Sequence, residues 1–542
     1  TSVYFSSLMT EKRGVDTEEY VLQALALAEA GASHGLSELR ERIRTDLDTR
    51  VQGVIQSSIF LGYVDSSDSL GFLRDYAWTV GDAQFTISGL EATIEQIAED
   101  AEGLGSRIQG SYSWTIVVKA DGNPTNLSGD RYIFPYVFSI ESLGQVTNVN
   151  PPIQKRLRLV QGNFSITTRR DNISKFALFT AHHRTSGNLT VWFTEDTNFT
   201  GPVHTNERFS FANNPGAHFT EDTTQHNSNA RFYNNGRPIL RNADNNSDID
   251  VPIFDKGFQR SEDIINLTSS VTQDDLRNQA LGGMADPGNG IHVPNDGACV
   301  KGGIYVRGNQ GQSADDAVIN MSVGVNGPIY AVSQSSTTHT ITVDYVNLQT
   351  QVETPSGTNT YCGIPDGTGD QGIILYVNDD IGGLGGTVQK DSGVTISSER
   401  DIVITDNVVY EQYNPDPLNA EGYTNLLGIL SWGGNVRIGT SAPDNVNIHG
   451  VVMAPHGVFE VDSYRQGSPR GEATLLGGVI TDFYGPFGTF DSGGQKSGYA
   501  RNFIYDARML AGMVPPYFPY LSNFISTENG LNTKLIWEDQ GA

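Results

Sequence analysis

Four histidines crowd one stretch of the chain: His182 and His183, His204 in the turn Gly201-Pro-Val-His-Thr-Asn, and His218. Imidazoles could hold a transition metal, but zinc ligands come in short, regular spacings, and none is present here. Pro202 and Asn206 are turn formers, so His204 reads as a histidine bonded to loop backbone. Acids form a second group, with Asp315-Asp316 and Asp379-Asp380 in tandem and Asp366 and Asp370 in a Gly-rich loop. Their oxygens could bind calcium or act as the paired carboxylates of a glycosidase. Tandem acids more often occupy a solvated corner, and the twelve-residue calcium loop is missing. No cofactor is therefore expected, calcium being the ion these acids would take. The chain also lacks Gly-x-Ser-x-Gly, His-Glu-x-x-His, Cys-x-x-Cys, phosphate loops and dinucleotide fingerprints. Gly382-Gly-Leu-Gly-Gly comes nearest, without the Lys and Ser/Thr that phosphate needs, and reads as a flexible β-corner. The chain is not expected to be an enzyme.

The charge balance narrows the partners. With 35 Lys plus Arg against 62 Asp plus Glu, the net charge of -27 repels phosphate backbones and anionic headgroups, so nucleic acid and lipid surfaces are disfavoured. Only 18% of the 542 residues are charged, while Gly reaches 60, a balance typical of turn-rich extracellular β proteins. Cys299 and Cys362 are the two cysteines. An even, sparse count fits one disulfide formed in an oxidising compartment, the alternative being two buried thiols. No apolar run is long enough to span a bilayer and no signal segment opens the chain. Because Thr1 is not a translation start, an upstream segment is expected to have been removed.

The elements follow from periodicity. Residues 4–54 carry apolar side chains every three or four positions, predicting a long helix. Tyr20, Val21, Ala24, Leu25, Ala28, Leu36, Leu39 and Ile43, with Gly31 and Gly35 among them, make a small-residue surface that lets another helix approach closely. Between Tyr63 and Gly110 the pattern predicts a strand, then a short amphipathic helix through Leu90, Ile94, Ile97 and Leu104. Strand-like runs follow at Ser113-Trp-Thr-Ile-Val-Val, Tyr132-Ile-Phe-Pro-Tyr-Val-Phe-Ser-Ile, Arg156-Leu-Arg-Leu-Val and Phe176-Ala-Leu-Phe-Thr. They predict an antiparallel sheet with one apolar face for the helix to cover. Residues 213–250 are very polar and read as surface loop. Further on, a four-residue unit recurs: Thr340-Ile-Thr-Val, Gly393-Val-Thr-Ile, Asp401-Ile-Val-Ile, Asn435-Val-Arg-Ile and Asn445-Val-Asn-Ile. Alternation places each β-branched pair on one face, as stacked strands of a parallel β-helix require; a β-sandwich is the rival.

Thr10-Glu-Lys-Arg and the segment Ala24 to Arg40, with Ala28-Glu-Ala-Gly at its centre, resemble the region just after the membrane-embedded part of PilX-type minor pilin-like proteins. In that family an apolar half-helix precedes this point, anchors the subunit and later packs in the filament core; Val3 to Met9 looks like its last turns. Gly201-Pro-Val-His-Thr-Asn, Gly302-Gly-Ile-Tyr-Val-Arg-Gly, Leu476-Gly-Gly-Val-Ile, Gly485-Pro-Phe-Gly-Thr-Phe, Tyr505-Asp-Ala-Arg-Met and Pro515-Pro-Tyr-Phe-Pro resemble an uncharacterised domain of bacterial surface proteins. The resemblance implies an α+β, mostly β chain: a pilin-like helix (1–58), a helix-on-sheet pilin-like domain (59–186), a right-handed parallel β-helix-like domain (187–515) and a tail (516–542). It further implies an extracellular filament subunit or associated protein, its partners copies of itself or other pilin-like subunits, and host or surface glycans. Tyr20, Val21, Ala24, Leu25, Ala28, Gly31, Gly35, Leu36, Leu39 and Ile43 would form the assembly interface. A β-helix polysaccharide-degrading enzyme and a monomeric carbohydrate-binding adhesin are the alternatives.

Overall fold

The structure is a computed structural model that describes residues 2–42, 84–98, 106–121, 125–128, 131–193, 197–211, 217–234, 237–241, 251–267, 271–309, 312–369, 371–413, 423–491, 494–510, 512–529 and 537–539. The described residues are mostly β, with one long N-terminal helix and large sheets. They divide into two compact units, residues 1–171 with 523–542, and residues 172–522. One division between the units falls at 171/172, and residues 523–542 group with the first unit.

In the first unit, helix α1 (Ser2–Arg42) lies on a sheet built from β1 (Gln84–Ala98), β2 (Ser106–Ala120), β3 (Thr125–Ser128), β4 (Arg131–Val146) and β5 (Ile153–Asn172). The order is β1-β2-β4-β5, followed by the C-terminal strand Tyr520–Asn529; β3 pairs with β4, and Trp537–Asp539 pairs antiparallel with β5. On β2 and β4, Tyr112, Trp114, Ile116 and Val118 stand opposite Gly144, Ser142, Ile140 and Phe138 and are buried with them. This is the single apolar face expected of the runs at Ser113 and Tyr132. Residues 90, 94 and 97, expected in a helix, instead lie in β1 and pair with β2. A register shift between Glu91 and Ile94 explains the misreading, because a bulge breaks strict alternation and mimics helical spacing.

The second unit is organised by parallel pairing. One column of aligned residues runs Ile304, Leu375, Ile396, Ile429, Val452, Val479, Leu178, Val203, Thr223, Phe258, each hydrogen-bonded in parallel register to the next strand. A second column runs Ile319, Leu384, Ile404, Ile438, Val461, beside Ala317, Ile381, Ile402, Val436, Phe459. The units at Asp401 and Asn435 thus stack directly on one another. The Thr340 unit does not join these columns. It lies in an antiparallel meander, Ala317–Val323, Pro328–Gln334, Thr337–Asp344, Gln349–Thr354 and Gly357–Cys362.

Strands in the interior of the first column are buried on both sides, as Ile373 to Val377 show, none of them exposed. The helix α2 (Gln273–Leu281) packs on the strands Ile304–Arg307 and Ile373–Val377. Pro516 lies beside Gly372 and Gly393, and Phe518 beside Gly428. Parallel strands covered on both faces read as continuous apolar runs, which is what Ile373-Ile-Leu-Tyr-Val and Leu426-Leu-Gly-Ile-Leu are. Short strands occupy much of 213–250, at His218–Phe219, Thr223–Gln225, Ala230–Asn234 and Arg237–Arg241, where surface loop was expected. Their polarity misleads because the few apolar residues do the packing: Phe193, Phe199, Phe209, Phe211, Phe219 and Phe232 are all buried, in mutual ring contact. Gly382 to Gly386 is strand rather than corner, within Ile381–Val388. Gly386 has φ +109, and a Cβ there would collide with the Met321 backbone of the neighbouring strand.

Candidate functional site

The four histidines are placed by the second unit, and they do not converge. His204 is buried with Nδ1 2.7 Å from Thr224 Oγ1 and Nε2 3.1 Å from Asn206 Oδ1, its ring stacked 5.3 Å from Phe179. Burial pushes its pKa down to about 4, so it is neutral at ordinary pH. His183 is boxed by Phe193, Phe209 and Tyr484, and burial followed by the Arg501 charge lowers it to about 3. His182 pairs with Asp482 at 2.7 Å and His218 with Asp255 at 2.9 Å. His204 thus bonds the side chains of Asn206, just past the end of its own strand, and of Thr224 on the neighbouring strand, not loop backbone.

Acids do converge. Among the described residues, one group of three candidate ligands lies within 4.8 Å of one another: Asp316, Asp379 and Asp380. Two chain segments build it. Asp379 and Asp380 turn the corner after the strand Ile373–Val377, and Asp316 precedes the strand Ala317–Val323, which pairs with Ile381–Val388 just beyond that corner. Asp379 is fully buried, and Arg400 Nε stands 3.7 Å from its Oδ1 and 3.1 Å from Asp380 Oδ2. Among the described residues, three carboxylates against the one guanidinium of Arg400 leave an excess of negative charge. Asp316 responds: burial first, then the charges of Asp380 and Asp379, raise its pKa to about 6. Its Oδ1 is buried without a hydrogen-bond partner. Asp315 faces elsewhere, accepting from Ser335 and Asn309. Asp366 sits in a loop whose carbonyl accepts the Tyr517 hydroxyl, and Asp370 lies outside the described residues. Chemically, the corner is a proton acceptor near pH 6 with one cationic partner already in place.

The same corner begins a line of side-chain bonds across the stack. Asp380 Oδ1 accepts the Asp401 N–H at 2.9 Å, Asp401 Oδ1 accepts the Asn435 N–H at 2.7 Å, and Asn435 Oδ1 accepts the Val458 N–H at 3.0 Å. Backbone donors at a corner point past the end of the sheet and must be satisfied by something else. A short Asp or Asn side chain from the neighbouring strand meets that need. The residue in front of the units at Asp401 and Asn435 is therefore the corner bond itself. Arg437 clamps the line between Asp401 at 2.6 Å and Asp462 at 3.3 Å.

On α1, Ala24, Ala28, Gly31, Gly35 and Leu39 are buried against the chain's own sheet. A Cβ at Gly31 would run into Ser142 Oγ, and one at Gly144 into the Ala24 and Ala28 backbone. The close approach expected toward another helix is thus used within the chain, by glycines on both partners. Tyr20, Val21, Leu25 and Leu36 are half-buried, Leu22 is 65% exposed, and Ile43 lies outside the described residues. Cys299 and Cys362 form the disulfide, at the end of the antiparallel meander.

Sequence reasoning missed a polar cleft of about 240 Å³ lined by His183, Arg184, Thr190, Arg208, Ser210 and Arg231, with Asn188, Glu207 and Asn227. Its arginines are scattered along the chain and carry no spacing signal; only the parallel stacking of 203–205 on 223–225 brings their segments together.

A family model described as Domain of unknown function (DUF4900) matches residues 131–225, a span holding β4, β5, the phenylalanine cluster's first members and most of this cleft. Neither curated proteins nor solved structures give a match to the chain.

Proposed function

We propose that this chain is a structural subunit, or an associated protein, of an extracellular type IV pilus-like filament, assembling through α1 and displaying its β body to surfaces. The observation that carries the reading is the seating of α1 on the antiparallel sheet with its opposite side exposed among the described residues, Leu22 65% exposed at its middle. A helix fixed on a sheet in this way resembles a pilin-like head. The parallel columns of the second unit support a right-handed β-helix-like module, and the disulfide agrees with an oxidising compartment. Since Ala24, Ala28 and Gly31 are occupied within the chain, assembly uses the outward stripe at Leu22, Ala26 and Ser33 instead. The reading assigns no enzymatic activity.

Leu22→Asp with Ala26→Asp tests it, since both positions are exposed and neither touches the sheet core. Negative-stain microscopy of native material should show fibres that the double variant fails to form while keeping the wild-type circular dichroism spectrum. Fibres of unchanged frequency and width would remove the helix as the interface.

A further inference from the structure

We propose that the cleft between residues 183–190, 207–210 and 227–231 binds an acidic sugar residue, its carboxylate or sulfate held by Arg208. The assignment does not depend on filament assembly, and a failure of that reading leaves it standing.

Charge is the first argument. In a chain of net charge -27, three guanidiniums face one small cleft, with Glu207 the sole lining carboxylate among the described residues. Two of them are already fixed. Arg184 bonds Glu207 at 3.1 Å and Asn188 Oδ1 at 2.8 Å, and Arg231 donates to Thr190 Oγ1 at 2.9 Å. Arg208 has neither a hydrogen-bond nor an ion-pair partner among the described residues, and its Nε is buried without an acceptor, as is that of Arg184. A buried guanidinium N–H with no acceptor is costly. Burial and the neighbouring Arg231 accordingly lower the pKa of Arg208, against the weaker attraction of Glu207. An oxyanion placed among the three would remove the repulsion and satisfy the fork that guanidinium offers.

The lining supplies the second argument. Asn188, Thr190, Ser210 and Asn227 offer amides and hydroxyls suited to a polyol, and the volume lies below the roughly 300–1,000 Å³ of drug-sized sites, so one small acidic unit fits. Tyr233 stands two residues beyond Arg231 on the same strand face, its ring 5.9 Å from Trp192, giving an aromatic edge beside the cleft. Free phosphate-rich polymers are opposed by the overall charge.

The test uses the full chain and isothermal titration calorimetry with a glucuronate-containing oligosaccharide, a sulfated galactose oligosaccharide, their neutral parents and inorganic sulfate. The acidic oligosaccharides should bind, one preferred over the other according to the oxyanion, and the neutral parents should bind at least tenfold more weakly. Arg208→Ala should weaken binding at least tenfold without lowering the melting temperature, because it removes a repelled charge; Arg208→Lys should recover part of the affinity. Binding unchanged in Arg208→Ala, no heat from either acidic oligosaccharide at low salt, or inorganic sulfate binding as tightly as the sugars would each overturn the assignment. If Arg208→Ala lowers the melting temperature, Arg208→Gln, which retains bulk, decides by the same affinity criterion.

Discussion

Asp316→Asn should stabilise the protein, increasingly so as the pH rises from 3.8 to 6 and fully above that. Asp316 lies within 4.8 Å of two other carboxylates, and its pKa rises from 3.8 to about 6 on folding. The folded state therefore holds the Asp316 proton more tightly than the unfolded one. Below pH 3.8 the group is protonated in both states and costs nothing. Between pH 3.8 and 6 the folded state is progressively penalised, and above pH 6 the penalty is complete. A shift of about two units corresponds to about 3 kcal/mol, which partial exposure reduces to about 1–2 kcal/mol. The asparagine is neutral at every pH, and its amide can donate to the carboxylates of Asp379 or Asp380, a bond the ionised aspartate cannot offer. Urea unfolding of the second unit at pH 5.0 and 7.5, followed through the buried Trp432, measures the difference. The variant should gain about 1–2 kcal/mol at pH 7.5 and distinctly less at pH 5.0. Equal gains at both values, or a loss at pH 7.5, would mean that the Asp316 carboxylate carries no such penalty in the folded state.

Two further outcomes follow from the stack and its bridge. Asn435→Ala removes the acceptor for the buried Val458 N–H and should cost about 1–3 kcal/mol, seen as faster hydrogen exchange at Val458 than at Val436, whose own N–H donates to the Val458 carbonyl; unchanged protection at Val458 would mean water replaces the carboxamide. Replacing Cys299 and Cys362 by serine frees a loop spanned by a sequence separation of 63 and should lower stability by about 4 kcal/mol on the loop-entropy account, with denaturation midpoints that no longer respond to reductant.

What could be read from the chain before its structure depended on whether the signal was local. The runs at Ser113 and Tyr132 alternate cleanly because one side faces α1 and the other does not, so the antiparallel pairing was legible. The units at Asp401 and Asn435 were legible as repeating strands, and their leading residue proved to be the corner bond, which no periodicity argument detects. The Thr340 unit has the same pattern yet lies in the meander, since alternation is blind to the direction of the partner strand. The tract 213–250 failed for a different reason: Phe219 and Phe232 are isolated in polar sequence, and only assembly with Phe193, Phe199 and Phe211 gives them a core. Candidate chemistry fared similarly. Tandem acids were visible, but not that Asp316 would join Asp379 and Asp380 through parallel pairing of distant strands. Arg184, Arg208 and Arg231 offered no clue at all.

The first column does not follow the order of the chain. It begins mid-stack at Leu178, runs outward through Val203 and Thr223 to Phe258, then restarts at the far end with Ile304 and works back until Val479 pairs with Leu178. A ribosome therefore releases the strand Leu178–His182 about three hundred residues before its second neighbour exists. During that interval one edge of the early strands has no partner, an open template for unwanted pairing. The join at Val479 closes the column last, across a seam that also carries the His182–Asp482 pair, so this edge stays open longest.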